Sequence, residues 1–405
     1  MTTRFSSNGT KISLLGYGAM RLPAVDGTSG PTTKSDFDQE LLNAQVKRML
    51  DLGITYFDTS PAYCRGLSER CLGEALAKSG YARGDYLIAT KLSNFAKHQH
   101  MLEACKKMFE NSLKELRTDY IDNYLLHVVG NGGLDNFKRR FVDNGALDWL
   151  LEERKAGRIR NLGFSYHGDY KAVQWCLEHH EKYRWDFAMI QLNFVDWCHG
   201  NPSASKLYVD FTTHKIPVVV MEPLLGGALA RFNPSVAREL VPLDPEASPA
   251  KWAFRFCGTH PNIMTVLSGM TRTEHIEENA KTFSPLKPCS VAEIEALSRA
   301  AEAYLAKGTV PCTSCAYCMP CPYGLDIPGL LKFRNEWLVG DRKATPSEIL
   351  AAYRAAIPEP LRRAEHCTGC DRCRSHCPQQ INIPSTIARI DREIDLLRDA
   401  EGGAK

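Results

Sequence analysis

The chain has little of what would tie it to a membrane or to nucleic acid. Its 405 residues carry a formal net charge of only +3, too small an excess to attract an anionic polymer or surface. No apolar run reaches the length that a membrane span needs. Residues 1–10 are rich in Thr, Ser and Asn, so we expect no secretory signal. A hydrophobic fraction of 44% indicates an ordinary soluble globular protein.

A disulfide framework is also missing. Disulfide-rich scaffolds are short and secreted, whereas seven of the cysteines here are scattered along a long chain, as is usual in a reducing compartment. We therefore expect a cytoplasmic protein in which these thiols are free and buried. They are Cys64, Cys71, Cys105, Cys176, Cys198, Cys257 and Cys289.

Two cysteine quartets near the C-terminus carry the strongest signal. They are Cys312, Cys315, Cys318 and Cys321, before Pro322, and Cys367, Cys370, Cys373 and Cys377, before Pro378. The second has the ferredoxin spacing C-x2-C-x2-C-x3-C-P, and the first is one residue shorter in its last gap. The fourth cysteine of such a run usually ligates the other cluster. The quartets predict two [4Fe–4S] clusters and one-electron transfer.

Two zinc sites of four thiolates each are the alternative interpretation of the quartets. Zinc ribbons present separated C-x2-C pairs, whereas each run here takes three consecutive steps. The spacing therefore favours iron and sulfide over zinc.

Eight apolar runs alternate with amphipathic helical segments between Lys11 and Phe283. The runs, which predict parallel strands, are 13–20, 54–60, 85–92, 120–127, 160–167, 187–194, 216–224 and 262–269. Helical patterns between them include 37–53, 68–80 and 101–117. This alternation predicts an α/β fold, a (β/α)8 TIM barrel. A doubly wound open sheet is the alternative, but Gly16–Tyr17–Gly18 lacks the third glycine and the helix of a dinucleotide turn.

A small, mainly helical ferredoxin-like domain is predicted to follow the barrel. Helical patterns occupy 290–308, 332–339, 346–356 and 381–400, and the 45 residues between the quartets do not resemble β-hairpins. We place the domains at 1–288 and 289–405.

Four polar residues fall at the carboxyl ends of adjacent predicted strands, where active sites of such barrels form. They are Asp58, Tyr63, Lys91 and His127. A phenol with a pKa of about 10 is a poor acid near neutrality, and a nearby ammonium lowers that value. Asp58 is expected to orient Lys91, and His127 to hydrogen-bond a substrate carbonyl. Tyr63 is then expected to donate a proton as hydride arrives at carbon.

These residues and their flanks resemble the aldo/keto reductase family. The matching stretches are FDTSPAY (57–63), TKL (90–92), LLH (125–127), GFSYH (163–167), QLNF (191–194), MEPLLGG (221–227) and LSGMTRTEHIEEN (267–279). The whole chain is similar to the subgroup with a C-terminal ferredoxin-type extension, through CTSCAYCMPCPYGLDIP (312–328) and CTGCDRCRSHCPQQINIP (367–384). The resemblance implies that Asp58, Tyr63, Lys91 and His127 are the catalytic tetrad.

The resemblance also implies a nicotinamide cofactor. Its carboxamide is expected at Ser165, Gln191 and Asn193, and the rest of its pocket at Gly18, Met20, Arg21, Met221, Pro223, Gly269, Met270, Thr271, Arg272, Glu278 and Asn279. The family's Lys and Arg for the 2′-phosphate of NADP correspond to Gly269 and His275 here. A neutral imidazole holds phosphate less well than a guanidinium, so NADP and NAD both stay open.

Three functions remain open at this point. The first is an NAD(P)(H)-dependent oxidoreductase that interconverts a small carbonyl compound and an alcohol, with clusters that serve a partner ferredoxin or flavoprotein. The second is an electron-transfer iron–sulfur subunit whose barrel has no turnover. In the third, the clusters only stabilise the C-terminal domain. The intact tetrad favours the first, with neither nucleic acid nor membrane as a partner.

Overall fold

The computed structural model describes residues 1–29, 35–231, 234–340 and 343–402. It consists of two compact units, one of Met1–Pro223 with Ala250–Ser290 and the other of Leu224–Pro249 with Val291–Lys405. The domain limits 1–288 and 289–405 stay a prediction. The structure adds that the segment 224–249 belongs to the second unit, although barrel residues flank it in the sequence.

Ten strands and fifteen α-helices make up the two units in the described residues. The strands are β1 Thr3–Phe5, β2 Lys11–Ser13, β3 Leu15–Gly18, β4 Tyr56–Asp58, β5 Leu87–Leu92, β6 Ile121–Val129, β7 Ile159–Tyr166, β8 Phe187–Gln191, β9 Val218–Met221 and β10 Ile263–Ser268. The helices are α1 Gln39–Asp51, α2 Ser68–Lys78, α3 Leu102–Glu115, α4 Gly133–Phe137, α5 Ala146–Lys155, α6 Tyr170–Glu178, α7 His180–Tyr183, α8 Ala204–Thr213, α9 Pro234–Leu240, α10 Pro249–Thr259, α11 Thr273–Thr282, α12 Val291–Leu305, α13 Ile327–Phe333, α14 Pro346–Ala356 and α15 Ile383–Gly402.

The first unit is a closed barrel of eight parallel strands. Strands β3 to β9 pair in chain order, and β10 pairs with both β9 and β3. All eight predicted strands lie in it, so the predicted (β/α)8 barrel is confirmed. A closed barrel has no sheet edge, which excludes the doubly wound alternative.

The barrel strands are apolar because both of their faces are covered. All nine residues of β6 are buried, one face toward the barrel interior and the other toward the helices. Alternate residues of each strand point inward. The interior cluster accordingly contains Tyr56, Leu87, Ala89, Leu125, Phe187, Met189, Val219 and Leu267, and Met264 joins it where the register of β10 shifts.

A two-stranded hairpin precedes the barrel and was not predicted. Strands β1 and β2 pair antiparallel, and Ile12 of β2 joins the interior cluster of the barrel. Each strand has three residues, and the sequences TRF and KIS show no extended alternation of apolar and polar residues. Three residues are too few for an alternation of apolar and polar residues to be recognised in the sequence.

The second unit is mainly helical, as predicted. Helices α13, α14 and α15 surround a core that includes Leu330, Tyr353 and Ile387. The segment predicted as helix at 332–339 is instead the end of α13 and a π-helical turn, Arg334–Leu338. Arg334 of that turn is 3% exposed and pairs with Glu393 of α15 at 3.1 Å.

None of the described helices is long and apolar enough to cross a membrane.

One close approach in the barrel wall generates a stability prediction. Gly163 of β7 lies opposite Phe187 of β8, and a Cβ atom on Gly163 would lie 2.5 Å from the Phe187 carbonyl oxygen. We expect Gly163→Ala to lower the free energy of unfolding by about 1–3 kcal/mol, as overpacking does. The midpoint of thermal unfolding, followed by circular dichroism under anaerobic conditions, measures the loss.

Gly84→Ala is the matched control, because a Cβ atom on Gly84 would meet nothing within 4 Å. Equal midpoints for the two variants would contradict the packing argument.

Candidate active site and cysteine loops

The candidate active site is the topmost layer of the barrel interior. Each of its strand residues lies two positions after an inward-facing residue, so it also points into the barrel. The pairs are Tyr56 and Asp58, Ala89 and Lys91, Leu125 and His127, Met189 and Gln191, and Val219 and Met221. These positions are at the carboxyl ends of the strands, where the βα-loops of such barrels form the active site.

Asp58 and Lys91 form an ion pair inside this layer. The Lys91 Nζ atom lies 2.6 Å from Asp58 Oδ1 and donates a second hydrogen bond to the Thr59 carbonyl oxygen at 2.7 Å. Both side chains are at most 4% exposed. Burial raises the pKa of Asp58 and lowers the pKa of Lys91, and the ion pair opposes both shifts. Each charge therefore depends on the other for its place in the barrel.

Tyr63 lies over this pair and beside the predicted catalytic histidine. The Lys91 Nζ atom is 4.7 Å from the centroid of the Tyr63 ring. The Tyr63 and His127 rings meet edge to face at 5.7 Å, and the Phe95 ring lies 5.1 Å from His127 on another side. The structure thus brings the four predicted catalytic residues together.

A chain of hydroxyl groups fixes the imidazole of His127. The Ala62 N–H donates to Ser60 Oγ, which lies 2.8 Å from Ser93 Oγ, and Ser93 Oγ lies 2.6 Å from His127 Nδ1. Burial, followed by the charge of Lys91, holds the pKa of His127 well below its ordinary value. When the Ser93 hydroxyl donates to Nδ1, the neutral ring carries its proton on Nε2 and can donate there.

Ser60 and Ser93 were missed in the sequence. Each lies two residues after a tetrad member, Asp58 and Lys91 respectively, on the side of the chain that faces the site. The alternation of strand residues could have found them.

The predicted carboxamide residues form two groups. Ser165, at the end of β7, accepts a hydrogen bond from the Val128 N–H at 3.0 Å. Gln191 Nε2 and Asn193 Nδ2 both donate to Asp196 Oδ2, at 2.5 and 2.7 Å. Asp196 is a further residue that the sequence did not indicate, and it fixes which way both amides are turned. Asn193 also donates to the Glu222 carbonyl and accepts from two backbone N–H groups. Its amide is therefore engaged in hydrogen bonds within the protein.

The remaining predicted cofactor residues lie around the same mouth of the barrel, after β3, β9 and β10. Gly18 and Gly269 approach each other, because a Cβ atom on Gly269 would lie 3.6 Å from the Gly18 carbonyl oxygen. Asn279 is buried and donates to Ser268 Oγ at 3.2 Å. Met270 and Pro223 are buried, Met20, Arg21, Met221 and Thr271 are half-buried, and Arg272, His275 and Glu278 are exposed. Their contact with a cofactor stays a prediction.

In the second unit, cysteines of one quartet lie near cysteines of the other. The thiol of Cys377, from the second quartet, is close enough to Cys312 and Cys318 to add to the rise that burial causes in their pKa. The thiol of Cys321, from the first quartet, acts in the same way on Cys373. Burial and neighbouring thiols raise the pKa of Cys312 to about 12 and that of Cys373 to about 11. Cys377 thus lies near two thiols of the first run, and Cys321 lies near one thiol of the second.

The environment of these sulfurs fits an iron–sulfur centre. The Ser314 N–H donates to Cys312 Sγ at 3.4 Å, and backbone N–H groups of residues 379–381 point at Cys377. Such donors stabilise thiolates and tune cluster potentials. Within the described residues, one group of three potential metal-ligating side chains has its ligand atoms within 4.8 Å of one another. It consists of Glu359, Glu365 and His366 and contains no cysteine.

Comparison with known proteins decides the family. A model described as the aldo/keto reductase family matches residues 14–299, which is more than half of the chain. The chain belongs to the aldo/keto reductase family. A second model, described as a 4Fe–4S dicluster domain, matches residues 311–382 of this family member. The predicted resemblance is therefore confirmed for both parts.

Curated relatives of this aldo/keto reductase cover most of it. An L-galactose dehydrogenase of Arabidopsis thaliana is 27% identical in an alignment of 320 positions that covers 72% of this chain and 92% of the relative. A methylglyoxal reductase of Escherichia coli is 25% identical over 295 residues, 70% and 92% of the two chains.

Solved structures show the same fold. An aldo-keto reductase from Bacillus halodurans, in its holo form, superposes with a TM-score of 0.59 at 24% identity, over 75% of this chain and 97% of that one. An aldo/keto reductase from Klebsiella pneumoniae in complex with NADP and acetate gives a TM-score of 0.58 at 19% identity, over 73% and 94%.

The buried ion pair generates the second prediction. Asp58→Asn leaves the Lys91 ammonium without its counter-ion, which costs about 3–5 kcal/mol of folding stability in comparable buried pairs. The pKa of Lys91 then falls further below that of the unfolded chain. Because the unfolded chain binds the extra proton, the deficit is expected to shrink as the pH rises above neutrality. Thermal midpoints of anaerobic samples at pH 7 and pH 9 measure both effects.

Asp51→Asn is the control, because it breaks an exposed pair, Lys47 with Asp51 at 2.9 Å. It is expected to change the midpoint little. A loss for Asp58→Asn that is no larger, or that does not vary with pH, would be evidence against the buried pair.

Proposed function

We propose that the protein is an NAD(P)(H)-dependent oxidoreductase that interconverts small aldehydes or ketones and alcohols, with two [4Fe–4S] clusters linking it to one-electron transfer. The observation that carries the proposal is the convergence at the mouth of the barrel of the buried Asp58, Lys91 and His127 with the half-buried Tyr63. Family membership supports the reaction class, because the curated relatives include a dehydrogenase and a reductase.

The proton chemistry belongs to the protein side chains. The Lys91 ammonium, 4.7 Å from the Tyr63 ring, stabilises the negative charge that develops on the phenol oxygen when Tyr63 gives its proton away. His127, neutral and with its proton on Nε2, donates a hydrogen bond that holds the substrate oxygen. Asp58 keeps Lys91 charged and in place. In the reverse direction Tyr63 takes the alcohol proton back.

The nicotinamide would supply or accept hydride when bound. Ser165 and Gln191 are proposed to hold its carboxamide, with Asp196 fixing the Gln191 amide. NADP is supported by the solved relatives named as complexes with NADP or NADPH. Against it, Gly269 and His275 stand where the family has cations, and Arg272 is the exposed cation that remains nearby. The choice between NAD and NADP therefore depends on whether Arg272 reaches a 2′-phosphate.

The two clusters are proposed to have crossed ligands. One set is Cys312, Cys315, Cys318 and Cys377, and the other is Cys321, Cys367, Cys370 and Cys373. The support is the proximity of Cys377 to the first group and of Cys321 to Cys373. Each cluster carries one electron whereas nicotinamide carries two. A protein partner of the ferredoxin or flavoprotein kind is therefore proposed to exchange electrons with the clusters.

The central prediction concerns Tyr63. We expect Tyr63→Phe to lower kcat for carbonyl reduction by about 10²–10⁴-fold, the usual contribution of a general acid, while NAD(P)H still binds. Anaerobic assays of NAD(P)H oxidation with a panel of aldehydes and ketones measure turnover, and quenching of nicotinamide fluorescence measures binding. Tyr81→Phe is the control, because its hydroxyl bonds Asp51 on the surface.

Wild-type protein that oxidises NAD(P)H with none of these carbonyls would falsify the proposed reaction. Cluster reduction by a partner without nicotinamide binding would then favour the electron-transfer subunit.

The clusters generate a further prediction. Purified under anaerobic conditions, the chain is expected to hold about eight iron atoms and eight sulfides, as two cubanes require. Cys373→Ser is expected to lose about half of the iron, and Cys198→Ser, which changes an exposed free thiol outside the quartets, is expected to lose none. Metal analysis and EPR of the reduced protein measure this. Zinc in place of iron would exclude the cluster assignment, and normal carbonyl turnover by folded Cys373→Ser would favour a structural role.

A further inference from the structure

A buried arginine lies behind the predicted catalytic histidine. Arg140 belongs to a π-helical turn, Lys138–Val142, in the loop after β6, and it is 3% exposed. Its neighbour Arg139 is exposed. Within the described residues no carboxylate pairs with Arg140, although a buried guanidinium normally has such a partner. Its burial must serve other contacts.

Those contacts are backbone carbonyls of the catalytic strand. Arg140 Nη2 donates to the His127 carbonyl oxygen at 2.8 Å, and Nη1 donates to the Val128 carbonyl oxygen at 3.2 Å. Nε lies 3.2 Å from Asn94 Oδ1, and Asn94 Nδ2 donates back to the Arg140 carbonyl at 2.8 Å. The planar guanidinium thus holds two consecutive carbonyls with donors in a fixed fork, a geometry that the rotatable donors of an ammonium do not impose.

The backbone held in this way is strained. Val128 has a φ of +63°, in the left-handed region that a β-branched residue avoids. The register between β6 and β7 shifts at this point, between Leu126 and Val129. Such a conformation costs about 1–3 kcal/mol and persists only where its surroundings enforce it. The two bonds from Arg140 are part of that enforcement.

The strained residue joins the two halves of the site. The Val128 N–H donates to Ser165 Oγ at 3.0 Å, and Ser165 is the residue proposed to hold the nicotinamide carboxamide. Val128 is also the residue directly after His127 in the sequence. The Arg140 guanidinium also lies 5.3 Å from the centroid of Phe95, whose ring is 5.1 Å from His127. One side chain therefore contacts the supports of both His127 and Ser165.

We propose that Arg140 is a positioning residue: by holding the His127 and Val128 carbonyls it sets the His127 imidazole and the Ser165 hydroxyl at the spacing that hydride transfer needs. The proposal deepens the proposed function and rests on it for the identity of the reaction. Without the guanidinium, Val128 can return to an extended conformation, which turns its N–H away from Ser165 and moves the His127 ring.

The test compares three variants of the full-length, cluster-loaded protein. Arg140→Met, which keeps much of the apolar stem, is expected to lower kcat by about 10²-fold, as misplacement of a reacting group by about 1 Å does. The dissociation constant for NAD(P)H is expected to rise, because Ser165 loses its support. Arg140→Lys keeps the charge but not the paired donors, so its kcat is expected to lie between. Arg139→Met, on the same turn but exposed, is expected to match the wild type.

Crystal structures of the wild type and of the Arg140 variants give a readout that does not depend on turnover. The expected result is a negative φ at Val128 and a broken contact between Val128 N and Ser165 Oγ in Arg140→Met. If that variant does not fold, Arg140→Lys carries the same comparison. Unchanged kcat, or an unchanged Val128 and His127 in the folded variant, overturns the proposal. If the wild type reduces no carbonyl, the proposed function fails, while the structures still decide whether Arg140 sets the backbone.

Discussion

The site depends on one electrostatic constraint: a buried ammonium must have a counter-ion within reach. Lys91 is 1% exposed, and Asp58 on the adjacent strand lies 2.6 Å away. Parallel pairing of β4 and β5 places both residues at the same end of the barrel. The ion pair in turn sets the charge beside Tyr63, and that charge contributes to keeping His127 neutral. The environment of Tyr63 and His127, the proposed acid and the proposed hydrogen-bond donor, therefore depends on the closure of the barrel around one ion pair.

Much of this could be predicted because barrel strands are buried on both faces. Such strands appear as apolar runs. A polar residue at the end of such a run, such as Asp58, Lys91 or His127, therefore indicates the site at the carboxyl end of the barrel. The iron–sulfur motifs could also be predicted, because the spacing of their cysteines is the spacing at which one loop can bind a cluster. Tyr63, which follows a predicted strand closely, was found by its position in the same way.

What the sequence did not disclose depends on contacts between distant segments. Arg139 and Arg140 are identical neighbours in the sequence, yet one is exposed and the other binds carbonyls of β6. Asp196 resembles an ordinary loop acid until the Gln191 and Asn193 amides are seen to share its oxygen. The segment 224–249 follows a barrel strand directly, and nothing in its composition indicates that it belongs to the helical unit. The periodicity of apolar residues in a sequence indicates which residues are buried, but not which segment of the chain covers them.

The crossed cysteine loops have a consequence for how the helical unit matures and fails. With Cys377 near thiols of the first run and Cys321 near Cys373, neither of the two proposed clusters takes all of its ligands from a single loop. Each proposed cluster would then include one ligand whose sequence neighbours bind the other cluster. Oxidative loss of one proposed cluster would then free a thiolate at the edge of its companion.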